Sequence, residues 1–571
     1  MSRLWGSTLQ PSGETLFRLW APGRETVTLD VDGLALEMES AEDGWFSALV
    51  EAPAGTRYRF RIDEQAVPDP ASRSQSGGVH GWSLVTPAEA YPWVHDGWRG
   101  RPWTQAVIQE VHVGVAGGFT ALIGQLPRLA ALGITAIELM PIGAFGGMRN
   151  WGYDGVLPFA PAESYGSPDE LKALIDAAHG HGLMVLLDVV YNHFGPDGNY
   201  LSLYAPDFFH ADVDTPWGGA VAVDKPQVAA FFLENALMWL NDYRFDGLRF
   251  DAVHAIGNPS FLDWLAHSIR DNVDPERHVH LILENEENDA ARLGPDGFDA
   301  QWNDDFHNVL HVLLTRESSA YYGDFADGPT ERLARCLEQG FIYQGEPSPN
   351  HDGRPRGTPS GHLPPFRFVS FLQNHDQIGN RALGERLTQL VDPARLRAAT
   401  ALLLLCPQVP LLFMGDEIGA RTPFLFFTDF HDKLADAVRE GRRREFAKFE
   451  AFSDEAARAR IPDPNSEATF AASRPERPAD AEEWEDFYRT LLRLRAELIM
   501  PRLEKARAVG ATMLGEGAVQ AAWRLAEGVL LTIIINIGDS VVALPSPPGR
   551  LIHEEGRAGD PASFAAWWSA P

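Results

Sequence analysis

The chain opens with short apolar or aromatic runs that alternate with polar positions and end in turn residues: "TLFRLWAPG", "TVTLDVDG", "WFSALVEAPAG" and "RYRFRID". A period of two, bounded by Gly, Pro and Asp, predicts strands joined by turns, so residues 1–90 read as a small antiparallel β domain. Near Pro92 the pattern changes. From there to about residue 500, short apolar runs alternate with longer stretches in which apolar residues recur every three or four positions. That is the pattern of alternating strands and helices. The strand candidates are "AVIQEVHV" (106–113), "ITAIELMPI" (134–142), "LMVLLDVVYNH" (183–193), "GLRFDAVH" (247–254), "VHLILEN" (279–285), "FDAQWND" (298–304), "FRFVSFLQNHD" (366–376) and "VPLLFMGDE" (409–417). Residues 119–132, 168–181 and 226–243 read as helices, and 482–498 sets Trp484, Phe487, Tyr488, Leu491, Leu494 and Leu498 along one stripe. Eight strands with helices between them predict a (β/α)8 TIM barrel over 91–502. Strand patterns return in "AVQAAWRLAEG" and "VLLTIIINIGD", which predicts a second small β domain over 503–571. The stretch 344–365, rich in Pro, Gly and polar residues, reads as a long loop suited to a mobile flap beside a site.

Charge narrows the choice of partner. With 48 basic and 79 acidic residues in 571, the net charge is −31, which repels nucleic-acid phosphates and anionic lipid headgroups and favours a neutral or cationic partner. The longest apolar stretch, 398–415, is interrupted by Pro407, Gln408 and Pro410, so no membrane span is expected. The first residues, "MSRLWGSTLQPSGETLF", lack an export pattern, and the cytoplasm is the expected location. Cys336 and Cys406 are the only cysteines, too few for a disulfide framework or a thiolate metal cage.

The candidate chemistry lies where the predicted strands end. Strand three ends in Asp188, Asn192 and His193; strand four in Arg249, Asp251 and His254; strand five in Glu284; strand seven in Asn374, His375 and Asp376. In a (β/α)8 barrel these ends converge on one rim. Arg249 and Asp251, at i and i+2, share a strand face. Alone, the pair reads equally well as a buried salt bridge that pins the barrel. Joined on the rim by Glu284, Asp376, His193 and His375, it fits glycoside hydrolysis, in which one ionised carboxylate works beside a protonated one.

In order, "DVVYNH", "GLRFDAVH", "ILEN" and "FLQNHD" resemble the four sequence signatures of the α-amylase superfamily, and the resemblance covers about residues 91–500. "FRLWAPGRETVTL" (17–29) also resembles the β-sandwich that precedes the barrel in the isoamylase and branching-enzyme branch. The resemblance implies a retaining mechanism on α-linked glucans, with Asp251 as nucleophile, Glu284 as general acid/base, and Asp376 as the third carboxylate, holding sugar hydroxyls and helping to distort the ring. It further implies that Arg249 orients the nucleophile and that His193 and His375 donate hydrogen bonds to the sugar in the −1 subsite. Through "NWGYD" (150–154), it implies that Tyr153 stacks on that sugar and Asp154 binds its hydroxyls. His254 ends "DAVH", where many amylases carry a Lys-His pair, and this departure suits a different leaving-group sugar.

Three stretches, 150–201, 284–293 and 422–446, look like the malto-oligosyltrehalose trehalohydrolases, also called glycosyltrehalose trehalohydrolases. That family hydrolyses the α-1,4 bond next to the terminal trehalose of a malto-oligosyltrehalose, releasing trehalose and a shortened maltodextrin. The resemblance implies malto-oligosyltrehalose synthase as a functional partner and a leaving-group pocket formed where "NEEND" meets the loop after strand eight. An α-1,6-acting debranching or branching enzyme shares the same carboxylates, and a non-catalytic glucan-binding protein could share the barrel. Neither a metal nor a cofactor is expected, because no cation-ligand spacing appears, and Asn192 reads as a hydrogen-bonding loop residue.

Overall fold

The computed structural model describes residues 3–87, 91–215, 218–447, 452, 454–545 and 549–570. The first strands form two antiparallel sheets. In one, Glu14–Trp20 lies between Thr8–Leu9 and Trp45–Glu51; in the other, Thr28–Val31 and Arg57–Ile62 are neighbours. Phe17 of the first sheet meets Tyr58 of the second with ring centroids 4.7 Å apart, so the two sheets close a sandwich over a shared aromatic core. Trp5, fully buried, packs its ring edge-on against Phe231 at 4.9 Å and so anchors the sandwich to the barrel helix Pro226–Leu237. The expected boundary near residue 90 falls on 88–90, outside the described residues.

Eight parallel strands follow: β1 (Ile108–Val111), β2 (Ala136–Leu139), β3 (Met184–Val189), β4 (Gly247–Phe250), β5 (His280–Leu283), β6 (Ala300–Trp302), β7 (Phe368–Ser370) and β8 (Val409–Phe413). Each pairs with the next and β8 returns to β1, closing the barrel. Every predicted strand contains one of them. All eight are buried along their whole length, as strands covered on both faces must be, and this is why they read as apolar runs rather than alternating ones. Ile108, Ala136, Met184, Ile282, Val369 and Leu411 fill the lower interior.

The helices match their predicted stripes with local differences. Pro168–Gly180 starts with Ser167 and Glu170 in a capping box and buries Leu171, Leu174, Ile175 and Ala178. The predicted helix 119–132 is two, Phe119–Ile123 and Leu126–Leu132, because Pro127 has no N–H to give a preceding turn and instead opens the second helix. Within the loop 344–365, Glu346–Pro347 pairs with Pro355–Arg356 in a short ribbon. The Ser348 hydroxyl donates to Asp324, and Arg356 Nε donates to the Glu286 carbonyl at 2.7 Å.

After the barrel, five antiparallel strands form one sheet from Arg507–Gly515 to Ser563–Ser569, and the buried Trp523 donates to the Leu337 carbonyl at 3.1 Å. Among the described residues, no helix is long and apolar enough to cross a membrane. Both cysteines are buried and free.

Candidate active site

Strand β4 delivers the centre of the site. Arg249, wholly buried, lies with its guanidinium carbon 4.1 Å from the centre of the Trp302 ring. Its Nη1 donates to Asp188 Oδ2 at 2.7 Å and to Asp251 Oδ1 at 2.8 Å, while Nη2 lies 3.7 Å from Glu284. One cation therefore touches carboxylates from three neighbouring strands. Burial works against the charged guanidinium, but Asp188, Tyr153 and Asp251 outweigh it and hold Arg249 well above its ordinary range.

The backbone turns sharply after Asp251. Ala252 has φ 40° and ψ 49°, a left-handed conformation that costs a non-glycine residue on the order of 1–2 kcal/mol. The turn aims the Ala252 N–H at the Glu284 carboxylate, to which it donates, and the next N–H, of Val253, donates to the Glu284 carbonyl at 3.1 Å. Strain at one residue thus joins the ends of β4 and β5 and sets Asp251 and Glu284 side by side. Asp251 also accepts from Asn192 Nδ2 at 3.2 Å, so the asparagine read as a loop residue is part of this network.

The remaining predicted residues surround this pair. Tyr153 donates to Asp188 at 2.6 Å and stacks on His375, with centroids 5.0 Å apart and planes at 21°. His375 pairs through Nδ1 with Glu110 and lies 3.4 Å through Nε2 from Asp376. Burial alone would lower its pKa, but the charges of Asp376 and Glu110 and the hydrogen bond to Glu110 push it up to about 9. The ring is thus a cation at neutral pH with both nitrogens protonated. His193 lies 2.5 Å from Asn192 through Nδ1, and burial lowers its pKa against the opposing pull of Asp251 and Asp154. Asp154 accepts from Asn150 at 2.7 Å, and burial raises its pKa. His254 lies beside Glu286: its Nδ1 accepts from the Glu286 N–H at 3.4 Å, its Nε2 lies 3.7 Å from the Glu286 carboxylate, and its charge opposes the rise of Glu284.

Environment separates the carboxylates. Burial pushes Glu284 up; Arg249 opposes this and the charge of Asp251 adds to it. Asp188, deeper in the barrel, is pushed by burial to about 7 despite its bond to Arg249. Asp376 is the open one, with 44% of its side chain exposed against 13% for Asp251 and 18% for Glu284. Glu284 and Asp376 face a cleft of about 890 Å³, closed by Asp304, Tyr321, Asn350, His351 and Arg356 among others. None of residues 422–446 lines this cleft. That segment packs behind the rim: Met148 N donates to Asp429 at 2.8 Å, and Arg442 donates to the Gly379 and Arg381 carbonyls, on either side of the cleft residue Asn380.

The sequence placed Asp188 and Asn192 on the rim without giving either a catalytic or binding role, and Glu110 on β1 and Asp304 after β6 were overlooked. Each carries the signal that marked Arg249, a polar group at the end of an apolar strand. Among the described residues, no group of three or more His, Cys, Asp or Glu is placed to hold a metal ion.

The Arg249 contacts predict a stability effect. Arg249→Met should lower unfolding stability by about 3–5 kcal/mol at pH 8, because Asp188 and Asp251 lose their buried counter-ion. A carboxyl whose folded pKa lies above its unfolded value holds a proton that the unfolded chain lacks, so the stability of this variant should fall further as pH rises from 5 to 8. Urea unfolding at the two pH values measures it; an undestabilised variant would show that the cation is not needed by the fold.

An eight-stranded barrel with carboxylates gathered at its C-terminal rim defines a glycoside hydrolase of the amylase type, and the model of the alpha amylase catalytic domain matches residues 71–205. A domain of unknown function, DUF3459, matches residues 506–570. The malto-oligosyltrehalose trehalohydrolase of Deinococcus radiodurans is 39% identical over 97% of this chain and 94% of its own, and that of Saccharolobus solfataricus is 39% identical over 86% and 87%. This chain belongs to the malto-oligosyltrehalose trehalohydrolase family. A crystal structure from Salmonella typhimurium, described as a candidate alpha amylase, is 43% identical with a TM-score of 0.94, each chain covered in full. The pullulanase of Paenibacillus barengoltzii shares the fold, at 20% identity and a TM-score of 0.69, over 99% of this chain and 94% of its own.

Proposed function

We propose that this enzyme hydrolyses the α-1,4 bond next to the terminal trehalose of a malto-oligosyltrehalose, with retention, and that Asp251, Glu284 and Asp376 carry the chemistry. The observation that supports the roles most directly is the Arg249 guanidinium, which touches Asp251 and approaches Glu284 at once. Asp251 is hydrogen-bonded to that cation, while burial raises Glu284 above the ordinary glutamate range and favours its protonated form. Glu284 gives that proton to the glycosidic oxygen as the bond to the anomeric carbon breaks, and Asp251 forms a bond to that carbon from the other face. Glu284, now a carboxylate, takes a proton from water; the water oxygen attacks the anomeric carbon and Asp251 leaves. The new chain end keeps its α configuration.

The remaining predicted residues hold the sugar at −1. Asp376, the most exposed of the three carboxylates, accepts from ring hydroxyls. His375, cationic and backed by Glu110, donates from Nε2. Tyr153 offers an aromatic face that suits the apolar C–H face of the sugar and a cationic transition state. His193, Asp154 and Arg249 complete the −1 subsite, and His254 reaches toward the leaving group. The chain is organised as a sandwich over 1–90, a catalytic barrel over 91–502 and a β domain over 503–571. It works in the cytoplasm with malto-oligosyltrehalose synthase as its functional partner.

Trehalose is bent at its 1,1 linkage and has no reducing end, so a pocket built for it leaves polar groups unpaired against a linear maltosyl unit. Chromatography of the products tests this: malto-oligosyltrehalose should give trehalose as the sole small product, and maltodextrin of equal length should react at least about tenfold more slowly. Equal rates on the two, or debranching of pullulan, would overturn the substrate assignment and leave the carboxylate roles standing.

A further inference from the structure

The cleft beside Glu284 holds a further carboxyl to which the mechanism gives no task. Asp304 follows β6 as the first residue of the helix Asp304–Thr315, and it faces the same cleft as Glu284 and Asp376. Its Oδ1 accepts one long hydrogen bond, from Gln377 Nε2 at 3.4 Å, and its Oδ2 has no protein donor among the described residues. The next residue, Asp305, shows what a carboxylate held for the fold looks like. It is wholly buried, accepts from Asn288 Nδ2 and from the N–H groups of Ile342 and Tyr343, and pairs with Arg356 at 3.2 Å. The arginine on this wall forms its ion pair with Asp305 and acts on Asp304 only through its charge, so among the described residues Asp304 faces the carboxylates of Glu284 and Asp376 without an ion pair of its own. His351, also on the cleft wall, is likewise paired, with Glu286 at 3.2 Å. Burial, followed by the charge of Glu284, pushes Asp304 to about 8. At neutral pH it is mainly a neutral acid, with an O–H to donate and an oxygen to accept, the complement of a sugar hydroxyl.

We propose that Asp304 binds a hydroxyl of the leaving-group sugar on the far side of Glu284 and thereby helps set which leaving group the enzyme accepts. This rests on Glu284 as proton donor, which makes the cleft beside it the leaving-group side. Bound sugar supplies the partner that Oδ2 lacks, and the free cleft supplies it with water.

The test compares kcat/KM for wild type, Asp304→Ala and Asp304→Asn on malto-oligosyltrehalose and on α-maltosyl fluoride, whose leaving group places no sugar beyond Glu284. Asp304→Ala should lose about 10–100-fold on malto-oligosyltrehalose, and its loss on the fluoride should be at least about tenfold smaller. Asp304→Asn is neutral and keeps a donor, so it should stay within about fivefold of wild type on both substrates. Equal losses on the two substrates, no loss at all, or an asparagine variant as impaired as the alanine one would overturn the proposal. Failure of the underlying reading looks different: Glu284→Gln would then lose equally on both substrates while wild type turned over each.

Discussion

Asp251→Asn is expected to lower kcat on malto-oligosyltrehalose by about 10⁴-fold while the fold and substrate affinity hold. The substitution preserves shape, and the amide oxygen can still accept from Arg249 Nη1, now at 2.8 Å from Asp251 Oδ1, so the network around Asp188 and Glu284 keeps its geometry. What disappears is the negative oxygen that forms the bond to the anomeric carbon. That interaction is made on the way to the transition state and contributes little to ground-state binding, so kcat falls and Kd does not. Steady-state kinetics with calorimetric titration of the inert variant separates the two quantities. Retention of a tenth of the wild-type rate, a barrier change of only about 1.4 kcal/mol, would remove Asp251 from the nucleophile's place.

The barrel was legible because its strands are buried on both faces and stand as apolar runs between periodic stretches, and all eight lie where those runs predict. Polar groups at strand ends interrupt such runs, and this marked Arg249, Asp251, Glu284 and Asp376. The same mark was present at Glu110 in "VIQEVHV" and at Asp304 in "AQWND". Its meaning there depends on what lies across the barrel: Glu110 matters because it holds His375, 265 positions away in the chain. The left-handed turn at Ala252 was illegible for a different reason. Alanine carries no signal of positive φ, and the conformation is imposed by the tie to Glu284 rather than by local preference. The loop 344–365 was legible as a loop beside a site, and Asn350, His351 and Arg356 do line the cleft; its short ribbon and the long-range bonds from Ser348 and Arg356 were not, because composition reports turns and not distant partners.

Glu284→Gln should lose about 10²–10⁴-fold in kcat/KM on malto-oligosyltrehalose and less than about tenfold on α-maltosyl fluoride. A sugar alkoxide is a poor leaving group and needs a proton as it departs, whereas fluoride does not, so the glutamine's lack of a transferable proton is felt on one substrate only. The parameter matters, because kcat/KM reports the first bond-breaking step; kcat would also include the later attack of water, where Glu284 acts as base on both substrates. Titration gives the same assignment a second reading. Glu284 works only while protonated, and burial holds its carboxyl above the ordinary glutamate range. In wild type, kcat/KM on malto-oligosyltrehalose should therefore fall as pH rises through that raised pKa, and the limb should be missing in Glu284→Gln, which has no proton to lose. If the variant kept the alkaline limb, the titrating group would be another acid of the cleft, with Asp304 the nearest in character. If both substrates suffered alike, Glu284 would be a positioning group and the proton would have to come from elsewhere on the rim.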